Sequence, residues 1–239
     1  LKEGSYMITT EKTAFVYGGK TVNNTKIPVT VVYSDDKGEN WTTCELDKIY
    51  TADYYYVKFF DSDNGVIVCG YAKSNDTNES SRIYSTSNGG ESWDIVGSGP
   101  ATNIIKGVVY VSSDVGFFCY DYVEGMDSNL YKTDDGGKTF AKVMLEEQEL
   151  DSSAANPQGQ ETETKTDSGK NGADSSEQLR WGDVYKEALT PVVDSTGIIT
   201  IYLTQGKNAV YNDGKTAAKY QSSDKGSTWK YIGQVEIKD

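Results

Sequence analysis

Any chemistry in this chain has to come from carboxylates, hydroxyls and aromatic rings, because its 239 residues contain no histidine. That removes imidazole acid–base catalysis, serine–histidine nucleophiles and the usual zinc ligand sets together. Three cysteines remain, Cys44, Cys69 and Cys119, with no Cys-x-x-Cys spacing. Cys69 and Cys119 lie in apolar runs, where a thiol serves as a small buried residue. The stretch Asp61-Ser62-Asp63-Asn64-Gly65 opens like a calcium loop, but Ala72 stands at the twelfth position, where an EF-hand needs glutamate. It reads as a turn. With 36 acids, a carboxylate pair for glycoside hydrolysis can always be imagined and none is identified. No catalytic residue, metal ligand or cofactor site is assigned.

One cluster is better suited to binding. Trp181 is flanked by Arg180 and Asp183, with Tyr185 close behind, and the run Tyr54-Tyr55-Tyr56 adds further rings. Side chains of this kind stack on sugars or dock peptides. Trp181, Arg180, Asp183, Tyr185, Tyr54 and Tyr56 are therefore the candidate ligand-binding residues. The plainer reading packs Trp181 on its own sheet and the tyrosines between sheets, since large aromatics mostly end in cores.

The elements that must position such a site are announced by a phrase written four times. It reads Ser34-x-Asp36-x-Gly38-x-x-Trp41, Thr86-x-Asn88-x-Gly90-x-x-Trp93, Thr133-x-Asp135-x-Gly137-x-x-Phe140 and Ser222-x-Asp224-x-Gly226-x-x-Trp229. Glycine supplies positive φ, the acid or amide and the hydroxyl clamp the turn's own N–H groups, and the aromatic buries a face. The phrase therefore makes a hairpin turn and needs no ligand. Four turns in register, each flanked by strand patterns, specify an all-β repeat fold.

These motifs resemble the Asp box of the Asp-box, or BNR-repeat, β-propellers, a family that includes sialidases, sortilin-type receptors and photosystem II assembly factors. The resemblance implies one four-stranded antiparallel blade per box, the box lying between third and fourth strands. The expected organisation is a single propeller domain over 1–239, with blades at about 4–47, 48–98, 99–146 and 183–239. Strands are expected at Thr13–Tyr17, Val29–Tyr33, Tyr54–Phe60, Val66–Gly70, Gly116–Tyr120 and Ile198–Leu203. A polar loop is expected from Gly18 to Pro28, and an inner strand from Ala188 to Val193. Four blades lie at the small end of the propeller range, and further blades could precede Leu1.

Spacing between box aromatics is 52, 47 and then 89 residues, which exposes an insert at 147–178. From Glu146 to Gln178 the chain has nine acids, two lysines and no aromatic residue. Such a segment lacks the apolar surface to order itself and is expected to be flexible. It supplies about half of the net charge of −13, which argues against nucleic acid or an anionic membrane as partner. No apolar run approaches the length of a membrane span, so direct insertion is not expected.

Among the family's activities, sialidase chemistry would need three arginines, and this chain has two, Arg82 and Arg180. A lysine cannot replace the bidentate fork. The expectation is a non-catalytic binding module that meets a glycan or protein through the loop face opposite the boxes. Its loops include Glu124–Ser128, Gly206–Lys215 and the segment around Trp181. The alternatives are a divergent glycoside hydrolase and a structural module of a longer chain. The resemblance also implies a secreted or cell-surface protein of bacterial type.

Overall fold

The structure, a computed structural model, describes residues 2–46, 52–71, 81–100, 103–150, 180–206 and 211–237. Its described residues are nearly all β. A first four-stranded sheet joins β1 (Tyr6–Ile8), β2 (Thr13–Tyr17), β5 (Thr30–Ser34) and β6 (Thr42–Glu45), with a small hairpin of β3 (Lys20–Val22) and β4 (Thr25–Ile27) beside it. The second runs β7 (Tyr54–Phe59), β8 (Gly65–Gly70), β9 (Ser81–Thr86), β10 (Asp94–Ser98). The third runs β11 (Ile105–Tyr110), β12 (Gly116–Tyr120), β13 (Leu130–Thr133), β14 (Ala141–Lys142). After a single helical turn, α1 (Trp181–Val184), the fourth comprises β15 (Glu187–Ala188), β16 (Val192–Val193), β17 (Ile199–Thr204), β18 (Thr216–Ser222) and β19 (Lys230–Glu236). All pairs are antiparallel, and each box lies between the third and fourth strands of its sheet.

Two expectations need correction. The Gly18–Pro28 stretch contains the β3–β4 hairpin, whose two-residue turn, Asn23-Asn24, takes φ of 48° and 63°. Two successive positive φ values define the turn that suits the twist of a tight hairpin, and asparagine tolerates them. The inner strand expected from Ala188 to Val193 is split, with Ala188 opposite Leu203 and Val192 opposite Thr200. Three intervening residues thus face two, and Pro191, which has no N–H for the ladder, sits in the bulge. The 147–178 insert falls mainly on residues 151–179, outside the described residues.

Successive sheets meet across apolar layers. Ala14, Val16, Val31 and Tyr33 pack on Val57, Phe59, Ile67 and Cys69. Val66, Val68 and Ile83 pack on Val108, Tyr110, Phe118 and Tyr120. Phe117, Cys119 and Leu130 pack on Ala188, Ile199 and Ile201. Full burial pushes the Cys69 thiol up to about 12, and burial takes Cys119 to about 12 as well, so neither ionises at neutral pH.

The box turns share one hydrogen-bond scheme. Ser34 Oγ donates to Asp36 Oδ1 at 2.8 Å and accepts from Gly38 N–H at 2.8 Å. Thr133 repeats this with Asp135 and Gly137 at 2.8 Å each. Ser222 does so with Asp224 and Gly226, at 2.7 and 2.8 Å. Across the turn, the carboxylate accepts both the N–H and the hydroxyl of Thr139 or Thr228. Asn88 fills the same place in the second box by reversing one bond, its amide donating to Ser92 Oγ at 2.9 Å. The residue before each box glycine also takes positive φ, even where it is Lys37 (62°) or Lys225 (58°).

Hydrogen bonds from Asn40, Thr139 and Thr228 hold Asp36, Asp135 and Asp224 below the usual carboxylate range. A carboxyl with a depressed folded value contributes stability above its unfolded value, near 4, and loses it as pH falls through the folded one. Replacing all three by Asn, as the second box already does, is expected to flatten the acid limb of a Tm-versus-pH curve below about pH 4 and to lower the neutral-pH Tm toward the acid value, because the carboxylate contribution is lost.

Candidate functional site

On the loop end between the third and fourth sheets lies a cleft of about 510 Å³. One wall is the loop from Tyr122 to Asn129 and the other is α1 with Tyr185 and Lys186. Four of the six candidate residues, Arg180, Trp181, Asp183 and Tyr185, line it. They do not all face the ligand space. Trp181 is 4% exposed, 4.6 Å from the Tyr185 ring and perpendicular to Tyr231 at 5.4 Å. Tyr185 is also buried, its hydroxyl 2.9 Å from Thr216 Oγ1. These two rings anchor the wall and leave Arg180 and Asp183 outside it, exposed. The helical turn closes through Tyr185 N–H to Trp181 C=O at 2.9 Å. At Gly182 an added Cβ would lie 2.6 Å from Oε1 of the exposed Glu147, a flexible end that can move aside.

Tyr54 and Tyr56 stand elsewhere. β11 is an edge strand, and two of its outward N–H groups need acceptors. Val108 N–H donates to the Tyr54 hydroxyl at 2.8 Å and Tyr110 N–H to that of Tyr56 at 3.0 Å. Burial raises the pKa of both phenols, so they remain protonated. The intervening Tyr55 points back, donating to Gly18 C=O at 2.6 Å. The tyrosine run therefore joins the second sheet to both neighbours.

A residue absent from the sequence candidates underpins the cleft. Asn129, 1% exposed, donates to Tyr120 C=O at 2.8 Å and Ala188 C=O at 2.9 Å, and its Oδ1 accepts Ala188 N–H at 2.8 Å. This side-chain amide ties the third sheet to the first strand of the fourth. Nothing local marks it, since its partner is 59 residues away.

Charges at the cleft divide into committed and free. Lys186 pairs with Glu124 at 3.0 Å, which raises the lysine's pKa, and Lys142 pairs with Asp127 at 2.7 Å, which lowers the carboxyl's. Among the described residues, no hydrogen bond or ion pair engages the side chains of Arg180 and Asp183. Val123 and Met144, 51% and 63% exposed, add apolar surface at the rim. A larger cleft, about 760 Å³, opens at the box end between the first two sheets. Its buried lysine, Lys12, is saturated: Asp35 at 2.9 Å, Ser62 C=O at 3.1 Å and Gly89 C=O at 2.7 Å take its three donors. Asp61 there accepts from Asp63 and Asn64 within its own turn. Lys12 and Asp61 of that cleft are thus engaged in holding the fold.

Asn129→Ala is expected to destabilise the chain by about 2–3 kcal/mol in urea unfolding, because it strands buried backbone groups. Tyr54→Phe and Tyr56→Phe are each expected to cost about 1–3 kcal/mol for the same reason.

No family model and no curated protein matches the chain. Among solved structures, a Niastella koreensis GH74 enzyme aligns with TM-score 0.49 and 16% identity over 93% of this chain and 28% of that one. YCF48 bound to D1 peptide aligns with TM-score 0.37 and 14% identity over 95% and 80%. Trypanosoma rangeli sialidase in complex with sialic acid aligns with TM-score 0.30 and 9% identity over 98% and 48%. The chain thus spans less than a third of the GH74 enzyme, and it is dissimilar in sequence to all three.

Proposed function

We propose that the chain is a non-catalytic binding module on an Asp-box propeller scaffold, secreted or held at a cell surface. It meets a polypeptide through the cleft between its third and fourth sheets. The observation that carries this reading is the unspent pair Arg180 and Asp183, mounted on a wall that Trp181, Tyr185 and Asn129 fix in place. Binding groups on a loop over a rigid scaffold lose little freedom when a ligand arrives.

The chemistry favours a peptide over a glycan. A sugar site presents an aromatic face, whereas Trp181 and Tyr185 are buried here. What the cleft presents is Met126, Met144 and the half-buried Tyr122 beside charges of both signs, and methionine-rich surfaces adapt to peptide side chains. A glycosidase would need a carboxylic acid kept protonated. Asp127 is held ionised by Lys142 and Glu124 is tied to Lys186, which opposes that role. The net charge of −13 opposes nucleic acid as partner.

The test is selection of binders from a displayed random-peptide library, run beside a glycan array. Arg180→Ala, Asp183→Ala and their combination, all at exposed positions, avoid the folding damage expected of Trp181→Ala. Selected peptides are expected to bind the double variant at least about tenfold more weakly, near 1.4 kcal/mol. Peptides indifferent to the variants, or glycan binding in their place, would overturn this reading. Hydrolysis of an arrayed glycan would restore the enzyme.

A further inference from the structure

Each sheet after the first is built against its predecessor by one device. The box glycine is pressed against the preceding sheet, where an added Cβ would meet Tyr33 at 3.2 Å from Gly90, Ile83 at 2.9 Å from Gly137 and Phe117 at 2.5 Å from Gly226. All three glycines are buried. The closing aromatic joins the same layer: Trp93 the first, Phe140 the second, Trp229 the third.

The first sheet carries the same parts on the corresponding face, and they are bare. Register places Tyr6, Phe15 and Val32 in one row, with Ile8 and Tyr17 on the same side. Trp41 lies on Phe15, ring centroids 5.5 Å apart. Ile8 is 67% exposed, Tyr17 48%, Trp41 46% and Tyr6 41%. Gly38 would meet only its own Trp41, at 3.4 Å.

The opposite end of the array is different. The outer face of the fourth sheet pairs Thr200 with Gln221 and Tyr202 with Lys219, and Gln221 donates to Thr200 Oγ1 at 3.1 Å. Val192, opposite Thr200, is 58% exposed, so this face is mixed rather than aromatic. Among the described residues, no apolar cluster joins this face to the first sheet. The fourth-sheet end of the array is thus the more polar, and the first-sheet end exposes a contiguous aromatic surface of the kind that marks an interface.

We propose that the Tyr6–Ile8–Phe15–Tyr17–Trp41 face docks a further four-stranded sheet of the same repeat type, preceding Tyr6 in chain order. Its contact face is aliphatic, like Val66, Val68 and Ile83. The occupant follows from the rule of the three internal layers, in which a box face always meets the sheet before it in sequence. The fourth sheet's own outer face sets Val192 among the Thr200–Gln221 and Tyr202–Lys219 pairs and so offers less of this complement. A second copy stacked head to tail would offer the same mixed face.

The test extends the chain at its N-terminus with a copy of its own residues 52–100, whose aliphatic face already covers Phe118 and Phe140. Hydroxyl-radical footprinting with mass spectrometry then reads oxidation at Tyr6, Tyr17 and Trp41. The expected result is a several-fold loss of oxidation at all three, with a higher Tm and added strand signal in circular dichroism. Ile8→Glu with Tyr17→Glu in the extended chain is expected to restore oxidation at Tyr6 and Trp41. The same pair in the unextended chain should leave Tm unchanged, because nothing there covers these side chains. An extension that gains no strand signal, or gains it without protecting the three rings, would overturn the proposal. So would a fall in Tm when the unextended chain carries the pair, which would mean that the face is already covered. A sedimentation-equilibrium dimer that the pair dissolves would make a second copy the occupant and likewise overturn it.

Discussion

The structure depends on one local constraint, the clamp in which a hydroxyl and a carboxylate close the turn between the third and fourth strands. It forces two positive φ angles in succession, which brings the glycine against the preceding sheet and sets the closing aromatic in the same layer. Each hydrogen bond in the clamp contributes little alone, about 1 kcal/mol. Their combined effect is geometric, since they fix where a large apolar ring is delivered. Rings delivered at the same height on successive sheets make the stacking repeatable.

Polar groups then decide how adjacent sheets are joined at the strand edges. A stacked array leaves the inner edge of each sheet with unpaired N–H groups, and this chain covers them with side chains from neighbouring sheets. Tyr54 and Tyr56 serve β11, while Asn129 serves the first strand of the fourth sheet. The cleft inherits its rigidity from the second of these joints. Its floor is held by an amide with three buried partners and its outer wall by packed aromatics, so the exposed arginine and aspartate are presented with little freedom. Placement on a braced wall of two charges, Arg180 and Asp183, whose side chains no hydrogen bond or ion pair among the described residues engages, is the feature that separates this cleft from the larger one at the box end, where Lys12 is fully engaged in structure.

What could be read in the sequence was what is encoded locally. The clamp residues lie within eight positions of one another, so the boxes, their turns and the strands beside them were legible, as was the Asp61–Gly65 turn. The cluster around Trp181 was also visible, because its aromatics are adjacent in the chain. Whether Trp181 faces solvent was not, since that depends on Tyr231, fifty residues away. Asn129 was illegible for the same reason. The β3–β4 hairpin escaped because three-residue strands with lysine and threonine carry no apolar period. The split inner strand turned on a single proline within an otherwise strand-like run.

We propose that the surface opposite the boxes, between the third and fourth sheets, receives a polypeptide. A crystal structure of the chain with a library-selected peptide tests it most directly. Peptide density is expected between the Tyr122–Asn129 loop and α1, with Arg180 and Asp183 in contact and the Trp181 ring still buried. Density at the box end beside Lys12, or a Trp181 ring turned out to stack on the ligand, would contradict it.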